Sequence, residues 1–201
     1  LRVCLDSIRK QTHPIYEIII VADKSTLGFS KEQLKYIKTD KRLIIEQKNK
    51  NLPYARNLAL KRVTGEIICL FDDDTELDRN YIKEITNVFN SKKDASGVTG
   101  NVYNTSLQPI KKGILGKLMK SYAYLFGISG FFIMQDSIGD ILPSGFATTN
   151  FNKARKIKEV KWLSGCNMCF SKDLIKSTGY FDESFIGNSY MEDTDYSYRA
   201  H

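Results

Sequence analysis

The sequence predicts an α/β protein built on a mostly parallel central sheet flanked by helices. Three observations carry that prediction. Apolar runs of strand length alternate with amphipathic helical stretches through the first hundred residues, the pattern of a sheet wound with helices. Two of those runs end in carboxylates, Asp23 after one and Asp72-Asp73-Asp74 after another, and the carboxyl ends of parallel strands form the ligand edge of such a sheet. The chain has 201 residues, 42 % hydrophobic and 26 % charged. That is enough for one domain with a sizeable core, and it excludes a disordered, collagen-like or polytopic membrane chain.

Residues 1–11 read as a helix with Leu1, Leu5 and Ile8 on its apolar face, broken by Thr12-His13-Pro14. Residues 16–21 are a nearly continuous apolar run, as in a strand buried on both faces. A short helix over 31–37 and a strand at 43–45 follow. Residues 53–62 form a helix with proline at its start, where a missing N–H is harmless. Gly65 ends it, and 66–71 is the third strand, running into the three aspartates. Asp78 is placed to cap a helix reaching Phe89, and 97–103 reads as a fourth strand.

The second half has a different texture. Residues 110–151 are irregular, aromatic and glycine-containing. Strands are expected at 160–163 and 166–170, a helix capped by Ser171, a turn at 180–183, and a further helix from Tyr190. One catalytic domain in two halves is the organisation this suggests, with a nucleotide-binding half at 1–109 and an acceptor-binding half at 110–201.

Lys and Arg number 30 against 23 Asp and Glu, a net charge of +7. Most of the excess lies in residues 110–162, where nine cations face three carboxylates. Residues 121–135 carry no charge and follow Lys111, Lys112, Lys117 and Lys120. Fifteen residues are short of the ~20 a spanning helix needs. A basic stretch followed by an aromatic apolar one suits either a segment lying in an anionic membrane surface or a lid packed on the sheet.

The cysteines are Cys4, Cys69, Cys166 and Cys169. Cys166 and Cys169 form a lone C-x-x-C, and the chain has two histidines, His13 and His201. A structural zinc site wants a second pair, so buried thiols in a reducing cytoplasm fit better.

Three carboxylates at the end of an apolar strand repel one another and raise each other's pKa. A divalent cation relieves this, and oxygen donors select magnesium or manganese. The bland alternative is a loop of helix-capping acids. A phosphatase pattern of the D-x-D-x-[TV] kind matches Asp72 and Asp74, but Glu76 stands where threonine or valine belongs. Glu192-Asp193-Thr194-Asp195 with Arg199 is the second constellation. It reads either as an acidic helix start with an i,i+4 pair or as a general base aimed into a site.

The ordered set resembles the family 2 inverting glycosyltransferases of the GT-A fold. Its members are Gln11-Thr12, Asp23-Lys24-Ser25-Thr26, Asn51-Leu52-Pro53-Tyr54-Ala55-Arg56-Asn57, Gly65-Glu66 and Phe71-Asp72-Asp73-Asp74. They continue with Trp162-Leu163-Ser164-Gly165-Cys166-Asn167-Met168, Gly179-Tyr180-Phe181-Asp182-Glu183 and Glu192-Asp193-x-Asp195-x-x-x-Arg199. The resemblance implies that Asp23 meets the nucleobase and that Arg56, Asp72 and Asp73 lie at the nucleotide. It makes Asp74, with Asp72, the Mg2+ or Mn2+ ligands, and Asp193, with Glu192 beside it, the base. It has Gly165, Cys166 and Asn167 line the donor and acceptor. It implies a nucleoside-diphosphate sugar donor, a carbohydrate or lipid-linked acceptor and no nucleic acid. The location expected, from the thiols and the basic stretch rather than from the resemblance, is the cytoplasm, peripheral at the inner face of the cell membrane. Ala22 and Lys24 depart from the acidic residue and glycine usual around Asp23. A further strand is expected ahead of Leu1, central in the sheet, so the chain reads as a fragment. An inactive sugar- or lipid-binding module on the same fold and a sugar nucleotidyltransferase are the alternatives.

Overall fold

The computed structural model describes residues 1–35, 37–49, 51–103, 137–142, 147–187 and 189–201. Lys111, Lys112, Lys117, Lys120 and the uncharged residues 121–135 lie outside the described residues, and with them the proposed membrane segment or lid. The chain divides into two compact units, Leu1–Gly100 with Leu163–His201, and Asn101–Trp162.

The first unit runs α1 (Arg2–Arg9), β1 (Glu17–Ala22), α2 (Leu27–Leu34), β2 (Lys41–Glu46), α3 (Leu52–Leu60), β3 (Ile67–Phe71), α4 (Tyr81–Ser91) and β4 (Gly97–Thr99). It resumes with β5 (Asn167–Ser171), α5 (Lys172–Thr178) and α6 (Glu192–Ala200). β1 and β2 pair in parallel, Glu17 opposite Lys41 through Ala22 opposite Glu46. β5, drawn from the far end of the chain, lies between β3 and β4 and runs antiparallel to both. This α/β arrangement agrees with the predicted fold class, although its second sheet is antiparallel among the described residues.

Several boundaries differ from expectation, each for a local reason. α2 begins at Leu27, four residues early, because Asp23 Oδ1 accepts from the Thr26 amide at 3.0 Å and from the Ser25 hydroxyl at 2.7 Å, closing a turn that launches the helix. Asp78 does not cap α4. It closes a turn instead, its Oδ1 accepting from the Asn80 amide at 2.8 Å, and the helix starts at Tyr81. No strand forms at 160–163, because the ladder donors go elsewhere: the Lys161 amide to Gly139 O and the Leu163 amide to Ser197 Oγ. β4 stops at Thr99. β1 is not buried on both faces. Ile18, Ile20 and Ala22 are buried against Leu5, Leu34 and Ile37, and the residues between them are half-buried.

Among the described residues β1 and β3 do not pair with each other. Between them opens a cleft of about 1270 Å³, walled by residues along the whole of both strands. At the carboxyl rim the same cleft is lined by Asp23, Arg56, Asp72, Asp73 and Asp74.

A second core forms where the end of the chain returns. Tyr196 is fully buried, stacked on Phe181 at 4.0 Å between centroids, with Phe170 edge-on at 5.2 Å. Asn57 of α3 grips the same loop. Its amide group donates to Phe181 O at 2.9 Å and to Glu183 Oε1 at 2.8 Å, and its Oδ1 accepts from the Phe181 amide at 2.9 Å.

In the second unit Thr148 O accepts from the Gly139 amide and from the Trp162 indole, and Phe151 packs edge-on to that indole at 5.1 Å. Gly139 has φ +59°, and a Cβ there would lie 2.7 Å from Val160, so both backbone and space demand glycine. Among the described residues no helix is long and apolar enough to cross a membrane.

Candidate active site

The aspartate run sits at the carboxyl end of β3 because the apolar strand stops there and the polypeptide turns, Thr75 N–H bonding to Asp72 O at 3.2 Å. Asp72 is half-buried, while Asp73 and Asp74 are exposed. Burial raises the Asp72 carboxyl above the ordinary range, Arg56 pulls it back, and the charges of Asp74 and Asp193 push it up again.

Arg56, on α3, is 7 % exposed. Its Nη2 donates to Gly165 O at 2.9 Å and lies 3.4 Å from Asp72 Oδ1. Its Nη1 lies 2.5 Å from Glu192 Oε1, an ion pair out of line for a hydrogen bond. Phe181 lies beneath the guanidinium, 5.3 Å from ring centroid to Cζ.

Glu192 and Asp193 open α6, and their side chains diverge. Glu192 is buried against Arg56, and among the described residues its Oε2 has no hydrogen-bond partner. Asp193 is half-buried. Its Oδ2 accepts from the Gly165 amide at 2.8 Å and its Oδ1 from the Thr194 amide at 2.7 Å. Oδ1 also accepts from the Thr194 hydroxyl at 3.4 Å, while Oδ2 keeps a second lone pair. Asp193 can therefore hold its orientation and still take a proton.

Gly165 and Cys166 lie in the turn before β5, where the Asn167 amide donates to Ser164 O and Thr75 Oγ1 donates to Cys166 O at 3.1 Å. Asn167 is buried, with Thr99 Oγ1 bonded to its Oδ1. Asp23 lies on the cleft with Oδ1 engaged by Ser25 and Thr26. Thus Arg56 brings Asp72, Glu192 and Gly165 together, and Gly165 brings in Asp193. Asp23, Asp73 and Asp74 share the cleft rim with Arg56, whereas Cys166 and Asn167 belong to the β5 turn. Phe181 and Asn57 also shape the site, although neither stands out in the sequence as a functional residue. Their partners lie 124 residues away or come from other elements, and no local pattern shows that.

Burial pushes the Cys4 thiol up to about 11 and raises Cys166, and Cys69 is raised by the Cys169 thiol opposite it across the ladder and by burial.

Among the described residues no three His, Cys, Asp or Glu side chains are grouped to hold a metal ion. The donor set still fits a hard divalent cation. Magnesium is commonly held by one or two carboxylates together with substrate phosphates. Asp72 and Asp74 offer carboxylate oxygens, and the charge of Asp74 helps push the Asp72 carboxyl up, a repulsion a cation would relieve.

The Glu192 carboxyl is raised to about 7 by burial, against the pull of Arg56. Its ordinary value is 4.5, so between these values the folded protein holds a proton that the unfolded chain has released. Stability is then greatest at the acid end of that window and falls as pH rises through it. The loss is on the order of 3 kcal/mol at ~1.4 kcal/mol per pKa unit, and Asp72 adds in the same direction. Urea melts from about pH 5 to 8 are expected to show this decline, and Glu192→Gln to flatten it. A wild-type profile that is flat or rising would refute the assignment.

The sequence model of Glycosyl transferase family 2 matches residues 1–158. Glycosyltransferase GlyA of Streptococcus pneumoniae serotype 4 is 35 % identical over 86 residues, which are 42 % of this chain and 12 % of that protein. Putative glycosyltransferase EpsH of Bacillus subtilis is 33 % identical over 95 residues, 47 % of this chain and 28 % of that protein. The matches thus span under a third of either relative's length. The crystal structure of S. aureus TarS superposes with a TM-score of 0.63 at 15 % identity, over 99 % of this chain and 30 % of that one, and supports the fold alone.

Proposed function

Because the chain belongs to glycosyl transferase family 2, we propose that it transfers a sugar, with inversion and metal dependence, from a nucleoside-diphosphate sugar to a hydroxyl of a glycan or lipid-linked acceptor. The observation that carries this reading is the Asp193 carboxylate, oriented by two backbone amides and tied through Gly165 and Arg56 to Asp72 at the cleft rim. Asp193 removes the acceptor hydroxyl's proton. The freed oxygen attacks the anomeric carbon, and the bond from that carbon to the diphosphate breaks on the opposite face. Asp74 and Asp72 are the residues that would hold Mg2+ or Mn2+, which when bound neutralises charge growing on the leaving diphosphate, a contribution of several kcal/mol. Asp23 and Asp73 line the rim where the nucleotide would lie.

The test is thermal stabilisation by UDP-, GDP- and dTDP-sugars with manganese or with chelator, followed by product analysis. Ligand at 100 times Kd stabilises by about 2.7 kcal/mol. Metal-dependent stabilisation with release of nucleoside diphosphate supports the reading. Binding without release points to an inactive module, pyrophosphate made from a nucleoside triphosphate and a sugar phosphate points to a nucleotidyltransferase, and no response to any donor sinks the proposal.

The reading includes an anionic membrane surface as the place of work. It draws on exposed Arg155, Lys156 and Lys158 around Ile157, itself 66 % exposed. Sedimentation with phosphatidylglycerol vesicles at low salt, reversed by high salt, is the expected result, and failure to sediment would remove that part.

A further inference from the structure

We infer that Arg56 is a positioning residue for Asp193, acting through Gly165 on one side and Glu192 on the other. The inference rests on the glycosyl-transfer reading and assigns Arg56 to holding the base rather than to gripping the diphosphate.

A buried guanidinium is tolerated only where acceptors surround it. The acceptors of Arg56 come from three elements far apart in sequence: the end of β3, the turn before β5 and the first turn of α6. Its two Nη groups are both turned to protein oxygens, Nη2 to Gly165 O and Asp72, Nη1 to Glu192.

Gly165 converts this into control of the base. Its carbonyl faces Arg56 and its amide faces Asp193 Oδ2. The two contacts squeeze the same α-carbon. A Cβ on Gly165 would lie 2.9 Å from Asp193 Oδ2 and 3.3 Å from Arg56 Nη2. The position of Arg56 therefore sets the backbone at Gly165, and that backbone sets one oxygen of Asp193. On the other side the Arg56–Glu192 pair anchors the residue next to Asp193, and so the opening turn of α6. Lysine cannot replace this arrangement, because a point charge on a flexible stem lacks the planar fork that meets divergent acceptors at once.

The test uses the whole 201-residue chain. For Arg56→Lys, the steady-state release of nucleoside diphosphate, from whichever sugar nucleotide the wild type turns over, should show kcat lowered ~10²-fold, the scale of a misplaced catalytic group. The donor KM, and the affinity for UDP with manganese by titration calorimetry, should be unchanged. Gly165→Ala should show the same split. A raised KM and weakened UDP binding with kcat preserved would place Arg56 on the diphosphate and overturn the inference. Unchanged kcat in both variants would overturn it too.

A second readout does not depend on turnover. With 15N-glycine labelling, the Gly165 amide is identified among 13 glycines by its loss in Gly165→Ala. Its proton resonance should move upfield in Asp193→Asn as the bond to the carboxylate weakens, and in Arg56→Lys as the relay slackens. A Gly165 amide that moves in Asp193→Asn but stays put in Arg56→Lys overturns the inference, whether or not any sugar nucleotide is turned over. Should Arg56→Lys fail to fold, Glu192→Gln breaks the other arm and is expected to move the same resonance. Wild-type protein inert with every donor, but with the resonance responding as described, would count against sugar transfer and not against the positioning role.

Discussion

Asp193→Asn is expected to retain nucleotide binding and to lose sugar transfer by ~10²–10⁴-fold, the usual contribution of a general base. The change is close to isosteric, but the chemistry of the site makes it severe. An amide keeps one oxygen acceptor and gains an N–H2 donor. The carboxylate now accepts from two backbone amides, Gly165 and Thr194. Asparagine can satisfy one, and it turns a donor toward the other. It also cannot take the acceptor's proton. The nucleotide residues lie on the cleft rim, which Asp193 does not line, so binding should survive. The check is donor binding by calorimetry beside transfer measured on the same preparation. Transfer near the wild-type rate would sink the assignment. Glu192 would then be the next candidate, despite being buried in its pair with Arg56.

Asp74→Asn is expected to abolish the manganese dependence of nucleotide binding without unfolding the protein. Asp74 is exposed and makes no described hydrogen bond that holds an element in place. Its charge contributes to raising the Asp72 carboxyl, so its removal lessens a repulsion, and the metal-free protein should melt no lower than wild type. A divalent ion held by one or two carboxylates together with phosphate oxygens loses a large share of its protein ligands when one is neutralised. Calorimetric titration of UDP with manganese and with chelator, on wild type and variant, decides the matter. Unchanged manganese dependence in the variant would refute Asp74 as a ligand.

How far the sequence reveals the architecture depends on the range of the forces involved. β1, β2, α3 and β3 are legible because hydrophobic periodicity, proline at a helix start and the Asn51 cap, which accepts from the Tyr54 amide at 2.9 Å, all act within a few residues. Asp78 misleads for the same reason: an acid just ahead of a helix reads as its cap, yet its Oδ1 closes a tight turn with the Asn80 amide. The missing strand at 160–163 was invisible because its apolar residues satisfy a strand pattern while their amides bond to Gly139 and Ser197. The aspartate run and the Glu192-Asp193 pair stood out individually as chemistry. Their connection through Arg56 and Gly165 could not, since the Arg56–Gly165 bond joins residues 109 apart.

That long reach has a consequence for how the protein comes into being. The Arg56–Gly165 bond spans 109 residues, the Asn57–Phe181 bonds 124, and the Asn51–Phe185 bond 134. Contacts of such separation form late, because loop closure precedes any gain from the contact. During synthesis the first hundred residues emerge with the slot between β3 and β4 still waiting for β5. Unpaired strand edges of this kind are where incomplete chains stick to one another. The three acceptors that surround Arg56 do not all exist until residue 192 has left the ribosome. The centre therefore has no partial form: a chain cut short at residue 160 keeps the arginine and three aspartates but has neither the carbonyl nor the carboxylates of the second half to order them.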